Sequence, residues 1–328
     1  MSEHEQDAPI ALVAGASRGL GLLVARELGR RGHRVVICAR DEDELLRGAQ
    51  LLQSDGVDVV PRVCDVADRD AVEQLVSDVE ANVGPIATLV TVAGVINVGP
   101  LESMTEQHFS DAVNIMLWGP VHLSLAVLPH MRRRRAGRIG TVTSIGGLVS
   151  VPHLVPYSTA KFGAVGFSQG LAAELVGTGV TATTIVPGLM RTGGHLHAQF
   201  TGQQNREYVW FAASGSLPLI SMDAERAAAK MVRAVLAGKP TVILTPLAKI
   251  GARVHGLAPA TTVRVMKLAN RFLPSAPAGG HASTMPGHAV DRRLDSRLFE
   301  SLIALGQKAA RRFNETSVTR VETPRNEE

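Results

Sequence analysis

The sequence predicts a three-layer, doubly wound α/β fold on one parallel sheet, followed by a helical extension. Three observations predict it. Short β-rich runs alternate with longer amphipathic stretches from Ile10 to about Thr245. The runs are dense in Val, Ile and Thr without strict alternation, as in strands buried on both faces. Each gap is long enough to hold a crossover helix, the mark of βαβ units. Right-handed crossovers then wind the sheet in two directions and place any ligand at the carboxyl ends of the strands.

Strands are expected at 10–14, 34–38, 57–64, 86–92, 137–143, 180–186 and 241–244, with helices at 20–30, 68–81, 109–131, 158–175 and 224–237. The segment 188–217 reads as a long polar loop, and a loop of that length in a compact domain is a functional lid. Residues 1–245 are thus expected to form one α/β domain, whose dinucleotide-binding and catalytic character is read from the motifs below. Residues 246–312 form the extension, with helices at 247–256, 260–273 and 291–312 and a Pro/Gly/Ser/His-rich stretch at 274–289. The polar tail 313–328 is expected to be disordered.

Composition bounds the function. The 328 residues are 45% hydrophobic and 20% charged, ordinary globular usage. With 34 basic and 30 acidic residues and 4% aromatics, neither the charge nor a base-stacking surface points to nucleic acid. Cys38 and Cys64 lie in apolar runs without metal-ligand spacing, so buried free thiols and a reducing, cytoplasmic setting are expected. Residues 1–9 carry acids and no apolar run, and no 18-residue apolar stretch occurs, so neither a signal peptide nor a span is expected.

Gly15-Ala16-Ser17-Arg18-Gly19-Leu20-Gly21 follows the first strand and opens the first helix. Gly15 permits the tight turn, Gly19 lets backbone approach a pyrophosphate, and Gly21 permits close helix packing. The helix N-terminus offers N–H donors to the anion. This is a Rossmann-type phosphate loop. At the end of the second strand stands Ala39, where an acid would bond a ribose 2′-hydroxyl, with Arg40 beside it. Arg18 and Arg40 are expected to converge on a 2′-phosphate, which selects NADPH over NADH. Asp41 and Asp43 fall a step late and read as charges at a helix N-terminus.

Tyr157 and Lys161 stand at i and i+4 on a predicted helix, so both side chains share one face. A nearby ammonium favours the phenolate and is expected to lower the tyrosine pKa toward a useful range. Ser144 ends the fifth strand thirteen positions earlier, a spacing that Thr143 and Ser150 lack.

The loop spacing, Ser144 and the Tyr157-x-x-x-Lys161 pair together resemble the short-chain dehydrogenase/reductase family over about Ile10 to Leu244. Ala14 replaces the threonine that opens the family's loop pattern, and Thr91-Val92 replace the first half of its Asn-Asn-Ala-Gly motif. The resemblance implies a hydride exchanged between NADPH and a ketone or alcohol carbon. It gives Tyr157 the proton transfer, Ser144 the substrate oxygen, Lys161 the nicotinamide ribose and Asn114 a water linking Lys161 to solvent. It also implies adenine contacts from Asp65 and Val66, a cofactor contact at Ala93 and Gly94, and a nicotinamide cover from Pro187, Gly188 and Thr192. A homodimer or homotetramer is implied as well. The alternative is an NAD(P)-binding redox sensor without turnover, which has no need of the joint set Asn114, Ser144, Tyr157 and Lys161.

The lid concentrates His195, His197, Phe200, Tyr208, Trp210 and Phe211. These rings either line a hydrophobic substrate pocket or pack the lid; His195 and His197 lack a third ligand, so no metal is expected. Between Glu225 and Asp291 there are basic residues and no acid. The segment 247–273 is therefore a candidate for peripheral contact with an anionic membrane, weighed against an apolar face covering the cleft or a subunit neighbour.

Overall fold

The computed structural model describes residues 8–216, 221–277, 283–294 and 297–316. The chain opens with β1 (Ile10–Ala14), α1 (Gly19–Gly29), β2 (Arg34–Ala39), α2 (Glu42–Ser54), β3 (Val59–Val63), α3 (Arg69–Asp78) and β4 (Ile86–Thr91). A short strand, β5 (Asn97–Val98), leads to α4 (Glu106–Val113), a π turn (Asn114–Trp118), α5 (Gly119–Arg134), β6 (Gly137–Val142), α6 (Val155–Glu174) and β7 (Val180–Val186). There follow β8 (Met190–Arg191), α7 (Gly194–His197), β9 (Gln199–Phe200), α8 (Gln204–Ser216), β10 (Met222–Asp223), α9 (Ala224–Leu236) and β11 (Thr241–Ile243). The extension holds α10 (Pro246–Leu257), α11 (Pro259–Asn270), β12 (Met285–Pro286), α12 (Gly287–Asp291) and α13 (Arg297–Arg312).

Seven strands pair in parallel in the order β3-β2-β1-β4-β6-β7-β11. The order reverses direction between β1 and β4, the crevice where open α/β sheets bind ligands. Alternate residues of β1 feed two separate cores. Ala11 and Val13 pack with α1, α2 and α9; Ile10, Leu12 and Ala14 pack with α3 and α5. Burial on both faces is why these strands read as unbroken apolar runs. The helical stretch Glu106–Arg134 is long and apolar enough to cross a membrane, but its Leu123, Val127 and Met131 are fully buried, as in a core helix.

The described part of the expected loop 188–217, residues 188–216, is no loop. It folds into β8, α7, β9 and α8, and β9 joins β5 and β12 in a second, three-stranded sheet. Phe200 and Tyr208 are fully buried there with Val98, Val290 and Ile303. The rings therefore pack the lid, the second of the two readings. β12 and α12 likewise interrupt the stretch 274–289, and the last helix begins at Arg297, later than the expected 291. Cys38 and Cys64 are buried free thiols, as expected.

The turn from β1 into α1 fixes the site's floor. Gly15 has φ +80 and its N–H donates to the Cys38 carbonyl at 2.8 Å. A Cβ on Gly21 would lie 1.9 Å from the Gly15 carbonyl oxygen, so helix and turn meet at a distance that only glycine allows. We predict that Gly21→Ala costs on the order of 2 kcal/mol, measured by urea denaturation.

Candidate active site

Ser144, at the end of β6, caps a short 3₁₀ turn: its Oγ accepts from the Gly146 N–H at 3.0 Å. A Cβ on Gly146 would meet both this hydroxyl, at 3.4 Å, and the ring of Tyr157 in the first turn of α6, at 3.1 Å, so the two side chains stand close together. Thr143, the rival one position earlier, donates its hydroxyl to the Ile185 carbonyl at 2.7 Å and belongs to the sheet. Lys161 is 4% exposed; its Nζ donates to the Val142 carbonyl at 2.8 Å and lies 5.8 Å from the Tyr157 ring centroid. Three of the four expected catalytic candidates are thus brought together at the carboxyl end of β6.

Asn114 makes no direct hydrogen bond to these three. It is exposed in the π turn, where its Nδ2 donates to Ser110 Oγ at 3.3 Å. Met116, two positions on, is buried against Ala160 and Tyr157. The expected tyrosine shift is also reversed. Burial raises the Tyr157 pKa above 10, with the Ser144 hydroxyl pulling it part of the way back. Burial lowers Lys161 to about 8. The ammonium donates to the Val142 carbonyl and stands over the Tyr157 ring.

At the phosphate loop, Ser17 Oγ donates to Glu44 and the Arg18 guanidinium pairs with the same carboxylate, from α2. This corrects the expected convergence of Arg18 and Arg40. A largely buried carboxylate needs a partner, and Glu44 takes Arg18, while Arg40 is exposed at the end of β2. Asp41 caps α2 by accepting from the Glu44 N–H at 2.8 Å, as its position suggested. Ala93 closes over Gly15, where a Cβ would come within 2.4 Å of the Ala93 nitrogen, and Gly94 faces Met116. Asp65 is exposed after β3, its Oδ1 accepting from the Ala67 N–H, and Val66 is buried. Pro187 accepts from the Ile145 N–H at 2.8 Å, Gly188 abuts Thr245, and Thr192 Oγ1 accepts from the Gly194 N–H.

The largest departure lies beyond α13. Residues 313–316, expected in a disordered tail, are built into this site. Phe313 is 4% exposed in the core beside α1 and α9, and its carbonyl accepts from the Gly19 N–H at 2.8 Å. Asn314, at φ +60, donates from Nδ2 to the Ser17 carbonyl at 2.8 Å and the Glu44 carbonyl at 3.1 Å. The Glu315 carboxylate accepts from the Gly193 N–H at 2.6 Å, and its Oε1 lies 2.8 Å from where a Gly19 Cβ would stand. Burial raises Glu315 to about 7; the Gly193 N–H and Arg18 oppose that rise and Glu44 adds to it. Glu44, Asn314 and Glu315 carried no local motif in the sequence. The place of this carboxylate also tests the site for a cofactor: the loop between Gly19 and Gly193 accommodates an anion, as a dinucleotide pyrophosphate requires.

A buried network ties the lid to the catalytic turn. His153, at φ +62, places Nδ1 2.8 Å from Glu207 Oε1, and Trp210 Nε1 donates to Glu207 Oε2 at 2.7 Å. Tyr208 donates to Asp291 at 2.7 Å. No group of three potential metal ligands occurs among the described residues.

Comparison with known proteins shows the family. The short chain dehydrogenase family profile matches residues 9–199. A ketoacyl reductase of Streptomyces coelicolor is 39% identical over 189 residues, covering 57% of this chain and 72% of the relative. A short-chain dehydrogenase from Streptomyces avermitilis superposes with a TM-score of 0.70 at 27% identity, covering 83% of this chain and 99% of that one. A variant of actinorhodin polyketide ketoreductase, solved with NADPH, gives 0.65 at 29% identity over 76% and 99%. The chain belongs to the short-chain dehydrogenase family, nicotinamide-dependent oxidoreductases that act on alcohols and ketones.

His195 and His197 are both buried enough to be lowered from 6.5 to about 4, desolvation being the main cause. Between those values the unfolded chain binds more protons than the folded one, so their contribution is lost as pH falls. Glu315, raised from 4.5 to about 7, acts in the opposite sense but is one group against two. The urea midpoint should therefore be lower at pH 5 than at pH 7, and His195→Gln should reduce that difference.

Proposed function

We propose that this chain is an NADPH-dependent ketoreductase that converts a hydrophobic ketone, of the ketoacyl kind, to the secondary alcohol. The observation that carries the reading is the packing of Ser144, Tyr157 and Lys161 at one strand end beside the switch point of the sheet. Gly15, Ser17, Arg18, Gly19, Leu20 and Gly21 would hold the pyrophosphate, with Asp65 and Val66 toward the adenine. Ala93, Gly94, Pro187, Gly188 and Thr192 would line the nicotinamide half. Ala39 and the exposed Arg40 suit a 2′-phosphate, and a structural relative was solved with NADPH. When bound, this cofactor supplies the hydride.

The chain's own residues handle the proton. Ser144 and Tyr157 both present hydroxyls to the substrate oxygen, meeting negative charge as it develops. A phenol held above its ordinary pKa stays protonated at neutral pH and is ready to donate. Once it has donated, the Lys161 charge behind the ring stabilises the phenolate. The Tyr157→Phe variant should bind NADPH within about twofold of the parent and lose turnover of 3-oxoacyl thioesters by a hundredfold or more. Turnover near the parent value would refute the assignment.

A homodimer or homotetramer belongs to the same reading. So does contact with an anionic bilayer through α10 and α11. These helices pair with each other and expose Leu257 (88%) and Phe272 (84%), together with Leu247, Ile250, Val265 and Leu268. Lys249, Arg253, Arg264, Lys267 and Arg271 accompany them, and no acid lies between residues 225 and 291. Gly251 of α10 faces Ile145, next to Ser144, so the apolar surface adjoins the site. We predict that the full chain pellets with phosphatidylserine vesicles at low salt, less so at high salt, and that Leu257→Glu with Phe272→Glu stays in the supernatant. Equal pelleting of the variant, or doubling of mass in solution without pelleting, would assign the surface to another partner.

A further inference from the structure

We propose that the segment Phe313–Glu315 is a built-in competitor for the cofactor: it occupies the place of the dinucleotide pyrophosphate, so that its seating and cofactor binding exclude each other. The proposal rests on the dinucleotide reading above and goes beyond it.

The segment meets the donors that would otherwise face an anion. The Gly19 N–H, at the N-terminus of the eleven-residue helix α1, is taken by the Phe313 carbonyl at 2.8 Å. The Gly193 N–H, on the opposite wall beside Thr192, is taken by the Glu315 carboxylate at 2.6 Å. That carboxylate fills the hollow left by the missing Gly19 side chain. It brings negative charge to a helix whose first turn has no acid of its own, where the helix dipole favours an anion. Glycine at position 19 is what lets a phosphate approach; here a carboxylate has made the same approach.

The segment is shaped to stay there. Ala310 and Phe313 bury the end of α13, and Asn314 takes a left-handed turn that aims Glu315 back into the loop. The Asn314 side chain then satisfies two backbone carbonyls, of Ser17 and Glu44. From the lid, His197 Nε2 donates to the Glu315 carbonyl at 3.0 Å. Each end of the contact is thus held by a different wall of the site. A segment serving only to cap the fold has no need to place a carboxylate on the phosphate donors.

A binding-competent state that is only partly populated weakens apparent affinity by its population. Removing the competing carboxylate should therefore tighten binding. NADPH titrated by fluorescence into the full-length parent and Glu315→Ala should show a Kd lower in the variant by on the order of tenfold. The isosteric Glu315→Gln, which keeps the shape and loses the charge, should fall between them. Saturating the parent with NADPH should also speed amide hydrogen exchange at 313–316. An unchanged or weaker affinity in Glu315→Ala would overturn the proposal, as would undiminished protection of 313–316 with NADPH bound. Binding of neither NADPH nor NADH to either protein would overturn the cofactor reading itself, and the proposal with it.

Discussion

The close approach of the β1–α1 turn to helix α1 is the constraint on which the rest of the site depends. Because Gly21 has no side chain, α1 can start within contact of the Gly15 carbonyl. Because Gly15 has none, Ala93 after β4 can close over the turn. These two contacts bring the ends of β1 and β4 together at the reversal of strand order. The third wall, β6 with Ser144, pairs directly with β4.

Lys161 shows how burial sets chemistry here. Its ammonium sits among apolar groups and is lowered to about 8, yet it finds a hydrogen bond in the Val142 carbonyl of the strand that also carries Ser144. The lysine thereby fastens α6 to β6, and Tyr157 and Ser144 are carried on those two elements. Stability and geometry of the hydroxyl pair rest on the same bond. The His153–Glu207–Trp210 network holds the lid helix α8 against the loop that leads into α6. Catalytic turn and lid are thus parts of one packed unit.

Much of this was legible in the sequence, for identifiable reasons. All seven strands of the main sheet were, because burial on both faces forces continuous apolar runs that local pattern reveals. Gly15 and Gly21 were legible because a tight turn and a close helix approach each exclude a side chain, and the closeness of Tyr157 and Lys161 because helical spacing fixes their shared face. The misreadings needed tertiary information. Where Asn114 points could not be read, because it sits in a π turn through which helical phase cannot be counted. Arg18 was read with Arg40 because nothing local marks Glu44 as its partner. The lid's strands are two residues long, too short for any period, and form only by pairing with β5 and β12. The segment 313–316 looked structureless because its side-chain partners lie far off in the chain, Ser17 by 297 positions, Glu44 by 270 and Gly193 by 122.

That separation has a consequence for the order in which the molecule is made. Ser17 and Gly19 leave the ribosome early, and synthesis proceeds from the N-terminal side at about 5–20 residues per second. Asn314 and Glu315 follow nearly three hundred residues later. For the interval between, the phosphate loop meets Glu44 of α2 but neither the Phe313 carbonyl nor the Glu315 carboxylate, and the Gly19 N–H is open to an anion from solution. The nascent domain and the finished protein therefore present different sites to the same pool of dinucleotide.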